Sequence, residues 1–187
     1  MYEEIRNDII QRTRKGEKLK FLFFWGHAPA PNGIMTASCL SQWWMDDFTI
    51  DGITYCCMEQ YMMAEKARLF GDNQTCQRIL AQHHQGRIKS LGREVRGFHE
   101  NVWNEHKCEI VQRGNYAKFS QIERLRLFLI GTGDAILVEA SPYDTIWGIG
   151  MEKTHPLVKM PDRWRGQNLL GFSLMTVRDK LKQEAQK

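Results

Sequence analysis

The 187-residue chain has no apolar run near the roughly 20 residues needed to span a bilayer. Its opening, MYEEIRNDIIQRTRKGEK, lacks the apolar stretch and small-residue cleavage site of a secretory signal. A cytoplasmic protein without a membrane partner is the expectation. The five cysteines, Cys39, Cys56, Cys57, Cys76 and Cys108, are odd in number and form no spaced pairs, which argues against a disulfide framework. His83-His84 and Cys56-Cys57 are adjacent, and neither pair has the C-x-x-C or H-x-x-x-H spacing that turns ligands to one side, so no metal and no cofactor are expected. Also missing are the phosphate loop G-x-x-x-x-G-K-[ST], the dinucleotide fingerprint G-x-G-x-x-G and the hydrolase elbow G-x-S-x-G. Charge of one sign never gathers in a run. A net charge of +4 spread along the chain permits a phosphate-bearing ligand without arguing for a surface that coats DNA.

What is present is ordinary globular material, 42% hydrophobic and 26% charged, in a length that suits one domain. Ile5, Ile9 and Ile10 among charges suit an amphipathic helix over 2–17. LKFLFFWGHAPAPNG reads as a buried strand that ends in a loop rich in proline and glycine. Asp51-Gly52 between Phe48-Thr49-Ile50 and Ile53-Thr54-Tyr55 marks a hairpin, because that pair accepts the positive φ angles of a tight turn. Helices are expected at 58–70, closed by Gly71, and at about 73–84, 86–95 and 101–118, the last capped within His99-Glu100-Asn101. QIERLRLFLI adds another helix, 135–139 a short strand, and NLLGFSLMTVRDKLKQ a closing helix with Asn168 as its cap.

Two segments carry residues with chemical potential. On the helix MEQYMMAEKARLF, Glu59 and Lys66 are seven residues apart, so they project from nearly one face about 10 Å apart along the axis. A carboxylate and an amine sharing an apolar face make a site whose pKa values burial can tune. Equally, Glu59 serves the helix dipole and Lys66 snorkels to solvent. In VEASPYDTIWGIG, a loop after a strand holds Asp144 as an acid, base or hydroxyl acceptor, Trp147 as a face for a planar base, and Gly148 for close backbone approach. The plainer account has Asp144 closing an Asx-turn after Pro142 and Trp147 in the core. Trp103 is either core or ligand platform, and Arg93 either clamps a phosphate or is a solvated helix charge.

Taken in order, FFWGH, SQWW, IDGITYCCMEQYMMAEKARLF, SLGREV, Trp103, YAKFSQ, LIGTGDAILVEASPYDTIWGIG and WRGQNLLGFSLMTVRDKL resemble the NADAR family, which includes YbiA-like N-glycosidases, over about residues 21–182. The resemblance implies a mainly α (α+β) compact single-domain fold with a few short strands, over residues 21–187, after an N-terminal helical extension at residues 1–20. It implies hydrolysis of N-glycosidic bonds in early riboflavin intermediates, and in some members removal of ADP-ribose from modified guanine. Glu59, Lys66, Trp103, Asp144 and Trp147 fall on motif positions of the family, and Phe24 and Gly26 on an aromatic-glycine strand end linked with nucleotide binding. Cys56-Cys57-Met58 departs from the family's usual threonine or proline and valine. Glu59 and Asp144 then become the acid/base and oxocarbenium-stabilising pair, Trp103 and Trp147 stack on the base, and Arg93 or Lys118 lies near the phosphate. An alternative mechanism has Lys66 form a Schiff base with the sugar. The expected partner is a phosphoribosyl or ADP-ribosyl small molecule. ADP-ribosylated nucleic acid is an alternative substrate, and a non-catalytic ADP-ribose or NAD-binding module an alternative function.

Overall fold

The computed structural model describes residues 2–186, and the chain divides into two units, one of residues 1–41 with 126–187 and one of residues 42–125. Among the described residues the architecture is mainly α with four short strands, as the resemblance implied. None of its helices is long and apolar enough to cross a membrane.

Unit 42–125 is organised by a helix with almost no solvent side. The hairpin of β2 (Phe48–Ile50) and β3 (Ile53–Tyr55) turns through Asp51 and Gly52 at φ 51° and 77°, as that dipeptide predicts. It leads into α2 (Met58–Leu69), of whose twelve residues eight are buried. Around α2 pack α3 (Asn73–Leu80), α4 (Gln85–Arg93) and α5 (Glu100–Gln121). A helix buried on all sides must satisfy its polar groups internally. Gln60 does so twice: its Oε1 accepts from Cys56 N at 2.8 Å, and its Nε2 faces the carbonyls of Ile79, Leu80 and Gln82 at 2.7–3.2 Å. Gln60 thus meets carbonyls at and just beyond the end of α3, which stops at Leu80, short of the expected 84. α5 runs beyond its expected end to Gln121, and His99 takes its N-cap position without a side-chain hydrogen bond.

In the other unit β1 (Phe21–Phe24) runs parallel to β4 (Ile136–Glu139), pairing Phe21 with Ile136 and Phe24 with Glu139. Only Phe24 of β1 is buried, so the strand is less enclosed than its apolar sequence implies. β4 is covered by α7 (Leu169–Glu184), and a Cβ on Gly171 would run into the Leu137 carbonyl, which fixes how close helix and strand come. Asn168 takes the N-cap position of α7 as expected, its carbonyl accepting from Phe172 N at 3.1 Å, but its side chain makes no cap hydrogen bond. At φ 57° it instead extends β4's hydrogen bonding, its Oδ1 accepting from Glu139 N at 3.0 Å and its Nδ2 donating to Leu137 O at 2.9 Å. The opening helix, α1 (Tyr2–Arg14), packs on α7 with Ile9 buried and Tyr2 against Phe172, and Arg6 Nη2 donates to the Pro161 and Trp164 carbonyls. α6 (Glu123–Gly131) carries the chain from one unit back to the other.

The approach of α5 to α2 depends on Gly114, where a Cβ would stand 2.6 Å from Tyr61 Cε1 and 2.7 Å from Met58 Cε. Gly114→Ala is expected to cost about 1–3 kcal/mol through overpacking, read from the urea midpoint. Parent-like stability would show that α5 can move aside.

Candidate active site

Within unit 42–125, α2 delivers Glu59 and Lys66 to one side, and the structure gives each a different setting. Glu59 stands in the first turn, 4% exposed, where the positive end of the helix dipole favours a carboxylate, and its backbone N–H donates to Gln42 O at 2.9 Å. Lys66 does not snorkel. Its Nζ donates to Gly92 O at 2.8 Å and lies 4.2 Å from the Phe98 ring centroid and 5.9 Å from that of Trp103. Burial pushes its amine below the ordinary lysine value, against the upward pull of Glu59. Trp103, half-buried near the start of α5, therefore faces an amine rather than only core. Arg93 is exposed, one residue beyond the carbonyl that Lys66 holds, so its guanidinium is available to an anion. Glu59, Lys66 and Trp103 thus lie in one unit, with Lys66 beside the Trp103 ring and under the electrostatic pull of Glu59, and Arg93 ends the helix whose Gly92 carbonyl Lys66 holds.

Sequence reasoning missed Phe98 and the carboxylate that holds its segment in place. Asp72 caps α3 by accepting from Thr75 N at 3.1 Å, and it also accepts from Arg96 N at 2.9 Å and Arg96 Nη2 at 2.7 Å. Two residues on, Phe98 packs edge-on to Phe70, 5.3 Å between centroids, and so reaches Lys66. The cap was legible in Gly71-Asp72-Asn73; the reach to Arg96 was not, because a contact across 24 residues leaves no local pattern.

One other expectation in this unit needs correction. Lys118 is fully buried, and its Nζ donates to Trp44 O at 2.6 Å, so it braces the interior and is not presented to a phosphate. Cys56 and Cys57 are buried at the head of α2 with Sγ atoms 4.0 Å apart. The hydrogen bond with Cys57, with help from His83, lowers the Cys56 thiol from its ordinary value, while its bond with Cys56 and burial push the Cys57 thiol up. The departure from the family pattern is therefore accommodated as a buried polar pair.

Residues 144–148 belong to the other unit. Asp144 Oδ1 accepts from the amides of Ile146 at 2.9 Å, Trp147 at 2.7 Å and Gly148 at 3.5 Å, the Asx-turn arrangement. Trp147 is 8% exposed, so its side chain is largely buried, and its carbonyl accepts from Leu170 N. Gly148 is held by tight packing, since a Cβ there would lie 2.8 Å from Glu139 O. Phe24 is buried at the end of β1, and Gly26, exposed at φ 83°, turns the chain just beyond it.

Two measurements follow. The depressed pKa of Asp72, caused first by its Arg96 hydrogen bonds, adds stability above the unfolded carboxyl value of about 3.9 and loses it as pH falls through the folded value. Asp72→Asn should therefore lower the melting temperature at neutral pH, with the gap from the parent closing below about pH 4; a gap independent of pH would contradict the ion-pair role. Trp147→Ala should cost about 3–5 kcal/mol of stability, as for other large aromatic truncations in cores. A stable variant that fails only in ligand binding would return Trp147 to the site.

A profile of the NADAR domain matches residues 23–182. The chain is 41% identical to the N-glycosidase R617 of Acanthamoeba polyphaga mimivirus over 169 residues, 88% of this chain and 98% of that protein. A riboflavin biosynthesis protein of Vibrio vulnificus is 27% identical over 146 residues, 78% of this chain but only 36% of that longer protein. In fold, the NMR structure of Escherichia coli YbiA superposes with a TM-score of 0.73 at 24% identity, covering 90% of this chain and 88% of that one. With the profile spanning most of its length and a relative matched almost end to end, the chain belongs to the NADAR domain family.

Proposed function

We propose that this chain is an N-glycosidase that hydrolyses the bond between a phosphorylated ribose and an amine-bearing base, acting on ribosylamino-pyrimidine phosphates of early riboflavin synthesis. The reaction class is supported by relatives named N-glycosidases, and the substrate class by a relative named for riboflavin biosynthesis. The observation that carries the mechanism is Lys66: an amine with a lowered pKa, bounded by two aromatic rings, on the same helix as a buried carboxylate.

An N-ribosylamine opens when its ring C1–O bond breaks and the ring oxygen takes a proton, leaving an iminium at C1. The neutral Nζ of Lys66 adds to that carbon. A proton then passes from the new ammonium to the nitrogen of the base, the C1–N bond to the base breaks, and the base departs as a neutral amine. C1 remains joined to Lys66 as a Schiff base. Water adds to it, and expulsion of the lysine amine releases the ribose phosphate as its aldehyde. Glu59 serves as the proton carrier between these nitrogens and oxygens. Arg93 offers a guanidinium to the phosphate, and Phe98 and Trp103 keep the amine in a medium that disfavours its charged form. Asp144 contributes by fixing its loop.

The test is a panel of a ribosylamino-pyrimidine phosphate, ADP-ribosyl-guanosine and NAD, followed by release of ribose phosphate or ADP-ribose. The pyrimidine substrate is expected to turn over fastest, and borohydride added during turnover should leave a pentose phosphate on Lys66, read by mass spectrometry. Lys66→Arg should abolish the adduct, and both it and Glu59→Gln should lower kcat by about 10²-fold or more. Because the amine must be neutral, kcat/KM should rise with pH through a midpoint below the ordinary lysine value of about 10.4. Turnover without an adduct, at the parent rate in Lys66→Arg, would contradict the mechanism, and preference for ADP-ribosyl-guanosine would contradict the substrate class.

A further inference from the structure

Cys56 and Cys57 join β3 to α2, and both are free thiols. On a straight strand successive side chains point to opposite faces, so neighbouring sulfurs stay apart. The chain bends at 56–57 instead, and the two Sγ atoms come to 4.0 Å, with Cys56 Sγ also 3.8 Å from Gln82 O. The backbone is tied on both sides of the pair. Gln60 Oε1 accepts from Cys56 N at 2.8 Å, Asp46 N donates to Cys56 O at 3.1 Å, and Tyr61 N donates to Cys57 O at 3.3 Å. The sulfurs are therefore held face to face.

The two thiols are not equivalent. Cys56 lies just beneath the surface, beside half-buried Gln82 and exposed His83; its bond with Cys57 and the pull of His83 favour the thiolate, against burial and Asp47. Cys57 has no exposed surface, and its bond with Cys56 and burial keep it protonated. Although Cys57 occupies the N-cap position of α2, its side chain makes no cap hydrogen bond, so capping does not account for a sulfur there. A thiolate near the surface with a protonated thiol against it is the arrangement in which one sulfur reacts and the other resolves.

We propose that Cys56 and Cys57 are a site of reversible oxidation by hydroperoxides, at which the facing sulfurs close to a disulfide between adjacent residues. The Cys56 thiolate attacks one peroxide oxygen and the O–O bond breaks. The sulfur is oxidised to a sulfenic acid, and the other oxygen takes up the proton that the thiol gave up and leaves as water or an alcohol. The Cys57 sulfur then attacks that of Cys56, the S–O bond breaks, and the Cys57 proton departs with the hydroxyl as water. Adjacent Cα atoms are about 3.8 Å apart, closer than the roughly 4.4 Å at which ordinary disulfides begin, so the bond is strained and a dithiol reduces it readily. A cross-link between neighbours closes no long loop, so it gains little from restricting the unfolded chain and its strain decides the sign. That strain falls on the N-cap of α2, two residues before Glu59.

The test exposes the folded full chain to hydrogen peroxide, then unfolds it in urea with an alkylating agent and reads the peptides by mass spectrometry. The peptide carrying Cys56 and Cys57 should be unalkylated and lighter by a pair of hydrogens, at doses that leave Cys108, half-buried with its thiol pushed up by burial, alkylated. Later treatment with a dithiol should restore both thiols. Cys57→Ser should stop at the sulfenic acid, trapped by dimedone, and Cys56→Ser should keep Cys57 as a thiol. Oxidation should lower the melting temperature of the parent, reversibly, and leave that of Cys56→Ser unchanged. A pair that stays alkylated while Cys108 oxidises would overturn the proposal, as would oxidation of Cys57 in Cys56→Ser or an unchanged melting temperature in the oxidised parent. None of these readouts depends on glycosidase turnover.

Discussion

The burial of α2 is the constraint on which the rest of unit 42–125 depends. A helix with eight of twelve residues out of solvent cannot leave its polar side chains to water. Gln60 therefore closes the end of α3, and Lys66 seeks the Gly92 carbonyl of α4 and the face of Phe98. The same burial that packs Met58, Tyr61 and Ala64 into the core keeps Glu59 from bulk water and lowers the charge affinity of Lys66. Chemistry and packing are here consequences of one fact, since an amine on an exposed helix face would stay charged and be a poor nucleophile.

The segment 96–98 shows how a surface turn is made rigid enough to serve that site. Asp72 holds the Arg96 backbone and guanidinium while also capping α3, and Phe70 supports Phe98 from the end of α2. Phe98 is 42% exposed, which leaves Lys66 a wall without sealing it away. In the other unit the carboxylate of Asp144 plays a comparable part, gathering three successive amides so that a glycine-containing loop keeps one shape. Neither carboxylate needs to touch a substrate to matter.

Local signals were legible in the sequence, and long-range ones were not. Asp51-Gly52 announced its hairpin because the turn's requirement for positive φ is met by those two residues alone. α2 was visible with its end at Gly71, and its Glu59–Lys66 spacing set both residues on one face. What spacing could not tell was that burial would surround that face, since charges at 59 and 66 read equally as solvated. Asn168 holds the N-cap position it was read for, but its side chain goes to β4 and not to the helix, because a side-chain amide can imitate a peptide group when a strand edge lies beside it. Trp147 looked like a stacking surface, yet its neighbour Gly148 is packed against Glu139 O, and the ring goes inward with the turn. Phe98 and Arg96 carried no pattern, as their partners lie on another helix end.

The central claim is that enclosure of α2 makes Lys66 an amine unlike an exposed lysine. Its most direct test is an NMR titration of the Lys66 Cε and Nζ resonances in selectively labelled protein, assigned with Lys66→Arg. The account predicts a midpoint below the ordinary value of about 10.4. A Lys66 midpoint at or above that value would contradict it.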